Sequence, residues 1–308
     1  MIRLGVPDLI SNSYFPAIAA VDLGFFKAEG LDAEVQLVFP VPRTMAELRE
    51  GKLDFVAGAA HATLGSFPEW RGAKLLGALA QRMYWFLVLR ADLKADRGDL
   101  SSVNGLRIGA APGPDAGLRR LLLDSGVDPE RNGVQIGPIP GASDRGASFG
   151  VSAAQALEAG SLDGFWANGM GAEVAVRRGV GTVVLDVRRG DGPSLAQHYT
   201  FPALITTDQR IRDEPETAAA ALRAIVRTQH ALRDDPDRAT EVGRRLFPPM
   251  EADLIADLIR RDLPYYDPHI SHESVAALNR FTASMKLASG EAAYDDVVAT
   301  QFGHIWDE

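Results

Sequence analysis

The sequence has no cysteine among its 308 residues, which removes every disulfide framework, thiol nucleophile, Cys-ligated zinc site and iron–sulfur cluster. Lysine is scarce too: of 32 basic residues five are lysine (Lys27, Lys52, Lys74, Lys94 and Lys286), and none stands in the apolar loop-end setting that would suit it to Schiff-base chemistry. Positive charge is in deficit overall, with 32 Lys+Arg against 41 Asp+Glu and a net charge of −9. Duplex nucleic acid and anionic membranes are bound through clustered basic residues that displace counterions, so neither is expected as a partner. No window reaches the roughly 18 uninterrupted apolar residues of a membrane span, and the longest candidate, 14–26, carries Asp22. A strand-like Ile2–Val6 follows Met1 directly, without a basic and apolar leader. The expected location is therefore cytoplasmic if Met1 is the native start, and periplasmic if a signal segment was removed from the chain.

What is present is an apolar fraction of 46%, punctuated by 30 glycines and 18 prolines. At about 150 residues per domain the length suits two lobes with buried cores. Short apolar runs alternate with helical spacing. Strands are expected at 2–6, 33–38, 53–58 and 74–79, and helices at 17–22 and 44–50, the latter with Thr44 and Glu47 as a capping box. After the strand 86–90, a polar stretch over 91–104 marks a boundary. A second series then follows, with strands at 106–110, 134–139, 164–166 and 182–187 and helices at 116–125, 152–159 and 171–178. One more apolar run, 199–205, precedes a helical final third with stops at Pro236, Pro248-Pro249 and Pro268. Such alternation predicts an α/β protein with mainly parallel sheets covered by helices.

Four stretches resemble a known family: Gly24-Phe-Phe-Lys-Ala-Glu-Gly-Leu-Asp with the apolar residues before it, Leu48-Arg-Glu-Gly-Lys-Leu-Asp-Phe, Leu106-Arg-Ile-Gly-Ala-Ala-Pro-Gly-Pro, and Ala156-Leu-Glu-Ala-Gly-Ser-Leu-Asp-Gly. They are similar to the opening, pocket-entry, second-lobe and helix elements of the type II periplasmic solute-binding proteins of the nitrate/taurine/thiamine-precursor group, the NMT1/THI5-like family. The resemblance implies a two-lobed fold with a central cleft, lobe I from 1–90 with 200–308 and lobe II from 91–199, hinged at about 86–90 and 200–204. It further implies capture of a small anionic or heteroaromatic metabolite, an ABC permease as partner, and a monomer or dimer. Ligand contacts are expected from loops at the carboxyl ends of strands: Ser11, Asn12, Ser13, Tyr14, His61, Arg82, Tyr84, Trp85, Gly113, Asp115, Trp166, Asn168 and His198. Ser11 and Ser13 equally suit caps of the first helix, Trp85 and Trp166 core packing, Arg82 a surface ion pair, and Asp115 a helix start.

Enzymes on this fold set the alternative, a cytosolic lyase, decarboxylase or hydrolase with His61 or His198 as acid/base; a cytosolic ligand sensor is a third reading. The yeast-type thiamine-pyrimidine synthase resembles 51–63, but its lysine position falls on Gly58 and its cysteine cluster is missing. No cofactor and no metal is therefore expected. Gly146-Ala-Ser148-Phe-Gly150 matches the serine-hydrolase pentapeptide without a strand before it. His269-Ile-Ser-His272 reads as a helix start rather than a metal site.

Overall fold

The computed structural model describes residues 1–139 and 148–308, so Gly146 of the serine pentapeptide lies outside the described residues. The apolar runs form strands β1 (Ile2–Val6), β2 (Ala33–Leu37), β3 (Phe55–Ala59), β4 (Ala73–Ala78), β5 (Phe86–Arg90), β6 (Arg107–Ala110), β7 (Gln135–Gly137), β8 (Gly164–Ala167), β9 (Gly181–Asp186) and β10 (Pro202–Thr207). Helices α1 (Phe15–Asp22), α2 (Phe25–Ala28), α3 (Val41–Arg49), α4 (Asp115–Asp124), α5 (Phe149–Glu158) and α6 (Gly169–Arg177) lie between them. The last third holds α7 (Asp208–Asp213), α8 (Pro215–Asp234), α9 (Arg238–Leu246), α10 (Pro249–Asp262), α11 (His272–Ser284) and α12 (Tyr294–Val297).

Two five-stranded sheets result, ordered β2-β1-β3-β10-β4 and β7-β6-β8-β5-β9. Each contains one strand that runs against its neighbours, β10 between β3 and β4 and β5 between β8 and β9. The expectation of mainly parallel sheets thus holds for four strands in each, and fails at the first strand laid down after each passage between sheets. A chain entering a sheet from the other lobe arrives at the opposite end of the strands and has to run back. Residues 86–90 stand wholly in the second sheet, and the chain passes between sheets at 79–85 and 187–201.

The expected capping box at Thr44 does not form. Pro40 caps α3, the helix begins at Val41, and the buried Thr44 hydroxyl donates to the Val38 carbonyl from inside the first turn. Proline is tolerated at the start of a helix because the N–H it lacks has no partner there. Neither Ser11 nor Ser13 caps α1, whose cap residue Tyr14 makes no side-chain capping bond. His61 opens a short 3-10 turn, Ala60–Gly65, rather than an α-helix. Ser271 caps α11, which begins at His272 as expected.

Helix α8 packs on α1 and α2, while α10 pairs with α9 and also touches α6 of the second sheet. The α9–α10 hairpin therefore bridges both halves. Helices α5 and α6 approach so closely that a Cβ on Gly171 would sit 2.6 Å from the Gly150 carbonyl oxygen. Glycine at this crossing is a packing requirement.

Candidate functional site

Between the sheets lies a cleft reached by the carboxyl ends of four strands: Pro7 and Asp8 follow β1, Phe39 and Val41 follow β2, Ala111 and Pro114 follow β6, and Asn168 follows β8. Tyr84 and Trp85, on the incoming passage before β5, complete one wall. Open α/β sheets bind ligands beyond the carboxyl ends of their strands, where loops and helix N-termini converge. The enclosed space is about 40 Å³ and its lining is largely aromatic: Tyr14, Phe39, Tyr84, Trp85, Phe149 and Trp166.

Hydrogen bonds join the two halves across this cleft. Asp8 Oδ2 accepts from Asn168 Nδ2 at 2.9 Å and lies 3.2 Å from the Ser148 hydroxyl. Asn168 caps α6 by accepting from the N–H groups of Met170 and Gly171, and Ser148 caps α5 by accepting from Val151 N–H. Asn12 uses both ends of its amide, accepting from Met170 N–H at 3.1 Å and donating to Asp262 at 2.6 Å. Asp262 also accepts from the buried Arg188, and from Arg189 at 3.0 Å. Burial pushes the Asp8 carboxyl up to about 7, outweighing donors from Ser148, the Gly150 and Phe149 backbone, and Asn168. Tyr14 and Tyr84 share a hydroxyl contact of 2.9 Å, and burial raises both above the ordinary tyrosine value.

Of the thirteen expected contact residues, Ser11, Ser13, Tyr14, Tyr84, Trp85, Trp166 and Asn168 line the cleft. The other six do not. Asn12 is turned to Asp262 and α6. His61 sits edge-on to Trp85 with Nδ1 3.1 Å from Thr200 Oγ1 and Nε2 3.1 Å from the Gly113 carbonyl, and burial pushes its pKa down to about 4. Gly113 thus spends its carbonyl on His61, and Asp115 accepts from Gly113 N–H. Arg82 has a left-handed backbone (φ 67°), packs over Tyr265, and opens with His198 into a separate outer cavity of about 400 Å³. Burial and the neighbouring Arg82 lower the His198 pKa. Neither histidine proposed as acid/base is therefore among the residues lining the cleft.

Sequence reasoning passed over Pro7, Asp8, Phe39, Val41, Ala111 and Phe149. Asp8 carried one usable signal: it is the first charged residue beyond the carboxyl end of β1.

A family model for NMT1/THI5-like proteins matches residues 11–239. The chain belongs to that family. Its fold is that of the type II periplasmic binding proteins, shared with solved structures of low sequence identity. A protein of Bordetella bronchiseptica RB50 aligns at 17% identity and TM-score 0.75 over 98% of this chain and 95% of its own. The periplasmic nitrate-binding protein NrtA of Synechocystis PCC 6803 aligns at 15% and 0.72, over 98% and 87%. The desulfurization enzyme DszB aligns at 16% and 0.64, over 99% and 98%. No curated protein matches the chain in sequence. Within this NMT1/THI5-like fold the aromatic cleft lies between the two sheets, with hydrogen-bonded contacts from both.

Proposed function

We propose that this NMT1/THI5-like protein is a solute-binding protein of the ABC-transporter type, working in the periplasm, whose two lobes, one built on each sheet with β5 (86–90) in the second rather than the first, close on a small molecule for delivery to a permease. The observation that carries the reading is the cleft itself, walled by strand ends of both sheets and bonded across by Asp8, Asn12, Ser148 and Asn168. The passages at 79–85 and 187–201, leading into β5 and β10, are the hinge. Of the metabolites expected for such a site, the lining speaks against the anionic class. It offers six aromatic rings and, among the described residues, no Lys, Arg or His.

The test is a thermal-shift screen with carboxylates, sulfonates and pyrimidines, followed by product analysis of each hit. Hits are expected to be recovered unchanged. Phe149→Ala, which removes one cleft ring, should weaken binding by roughly 1 kcal/mol, and Arg82→Ala should leave it unchanged. Loss of binding in Arg82→Ala with Phe149→Ala intact would move the site to the outer cavity.

A further inference from the structure

We infer that the interlobe cleft selects a small nitrogen cation, an ammonium or amidinium, over an anion. The inference rests on the solute-binding reading of the same site and narrows it. The lining side chain that carries charge is the Asp8 carboxyl, and no basic group among the described residues lines the cleft to offset it. The nearest guanidinium, Arg188, packs on the Tyr84 ring, is engaged by Asp262, and is not part of the lining. Above about pH 7, where the Asp8 carboxylate is formed, an incoming anion would meet a like charge in a buried cleft, where repulsion is stronger than in water.

Among the described residues, two buried oxygens in the lining stand without donors. Asp8 is 6% exposed; its Oδ2 is held by Asn168 and Ser148, the Phe149 and Gly150 backbone N–H groups also face the carboxyl, and among the described residues Oδ1 has no partner within hydrogen-bond geometry. Ser13, 1% exposed and also in the lining, has an unpartnered hydroxyl oxygen. Buried polar atoms are rarely left unsatisfied, and a ligand N–H fits the chemistry of both. Around them stand the rings of Tyr14, Trp85 and Trp166, whose π systems can attract a cation. A space of about 40 Å³ restricts the closed form to a ligand of a few heavy atoms.

Binding should depend on pH. Among the described residues the ionisable groups around Asp8 are Tyr14 and Tyr84, which burial raises further above the ordinary tyrosine value and which stay neutral near pH 7, and Arg188 stacked on Tyr84. Because burial brings Asp8 to about 7, a cation binding at pH 6 has to expel a proton, whereas at pH 8 the carboxylate is already formed. Linkage then gives about tenfold tighter binding at pH 8 than at pH 6.

The experiment titrates the intact protein, read by tryptophan fluorescence and small-angle scattering, with methylammonium, tetramethylammonium and acetamidinium at pH 6 and pH 8. Sodium nitrate and sodium methanesulfonate serve at matched ionic strength. Expected are saturable, compacting responses to a cation, about tenfold tighter at pH 8, and none to the anions. Asp8→Asn should abolish them while its urea transition at pH 8 shows a folded protein. Compaction by nitrate, methanesulfonate or an uncharged pyrimidine, with the cations silent, overturns the cation selectivity and leaves the binding-protein reading standing. No compaction with any probe overturns both. Unchanged cation affinity in Asp8→Asn overturns the role of the carboxyl.

Discussion

Asp262 is the point at which three parts of the chain are tied, and its removal has a calculable consequence. Its carboxylate, 2% exposed at the end of α10, accepts from Asn12 on the loop before α1 at 2.6 Å, from Arg188 at 3.1 Å and from Arg189 at 3.0 Å. Arg188 is equally buried, and among the described residues its Nε and Nη2 have no hydrogen-bond partner, so Asp262 supplies its counter-charge within contact distance. Asp262→Ala leaves that guanidinium buried and unpaired, a change worth about 3–5 kcal/mol. Because desolvation is what makes the lone charge expensive, replacing both partners by apolar residues of similar volume (Arg188→Met with Asp262→Leu) should recover most of the loss. Equilibrium urea unfolding followed by circular dichroism measures it. At a denaturant dependence of about 3 kcal/mol/M, the midpoint of Asp262→Ala should fall by at least about 1 M. Asp253→Ala, on the exposed side of the same helix, should stay within about 0.5 kcal/mol of wild type. An Asp262→Ala protein within about 1 kcal/mol of wild type, or a double variant no better than the single one, would refute the reasoning.

His61 and Asp8 respond to pH in opposite senses. Burial puts His61 at about 4 in the folded protein, so the stability it contributes is complete above its unfolded value of about 6.5 and is lost as pH falls toward 4. The destabilisation of His61→Asn relative to wild type should therefore shrink by roughly 3 kcal/mol between pH 7 and pH 4, measured by urea unfolding at both. Asp8 is raised to about 7, so its contribution is complete below the unfolded value of about 3.9 and is lost as pH rises through 7. Ligand-free Asp8→Asn should accordingly be more stable than wild type at pH 8, and equal or lower stability there would contradict the assignment. Gly171→Ala should destabilise by about 1–3 kcal/mol, since its Cβ meets the Gly150 backbone rather than a side chain that can swing aside. A neutral result in thermal unfolding would mean that α5 and α6 can separate freely.

The strands were legible because each is a short apolar run bounded by glycine, proline or polar residues, and β5 was read with its observed bounds. Helix starts were less so. The capping-box pattern at Thr44 is locally valid, but Pro40 and Val41 begin the helix earlier because the hydroxyl of Thr44 finds the Val38 carbonyl instead. At the cleft, the aromatic and serine residues of 11–14, 84–85 and 166 could be read from their place at strand ends. Arg82 could not: its left-handed backbone turns the guanidinium toward Tyr265. His61 could not either, since its partners Thr200 and Gly113 lie 139 and 52 residues away.

By itself, then, the sequence determined the α/β alternation, the two strand series and the exclusion of cysteine chemistry, because composition and periodicity are local properties of the chain, while its motifs carried the resemblance to the family. Only the tertiary structure decided the character of the cleft. Asp8 is an unremarked acid after a strand until folding brings Ser148 and Asn168, 140 and 160 residues on, against one of its oxygens and buries the carboxyl beside aromatic rings. Its charge state and its ligand preference follow from that burial, and burial is a property of the packed chain.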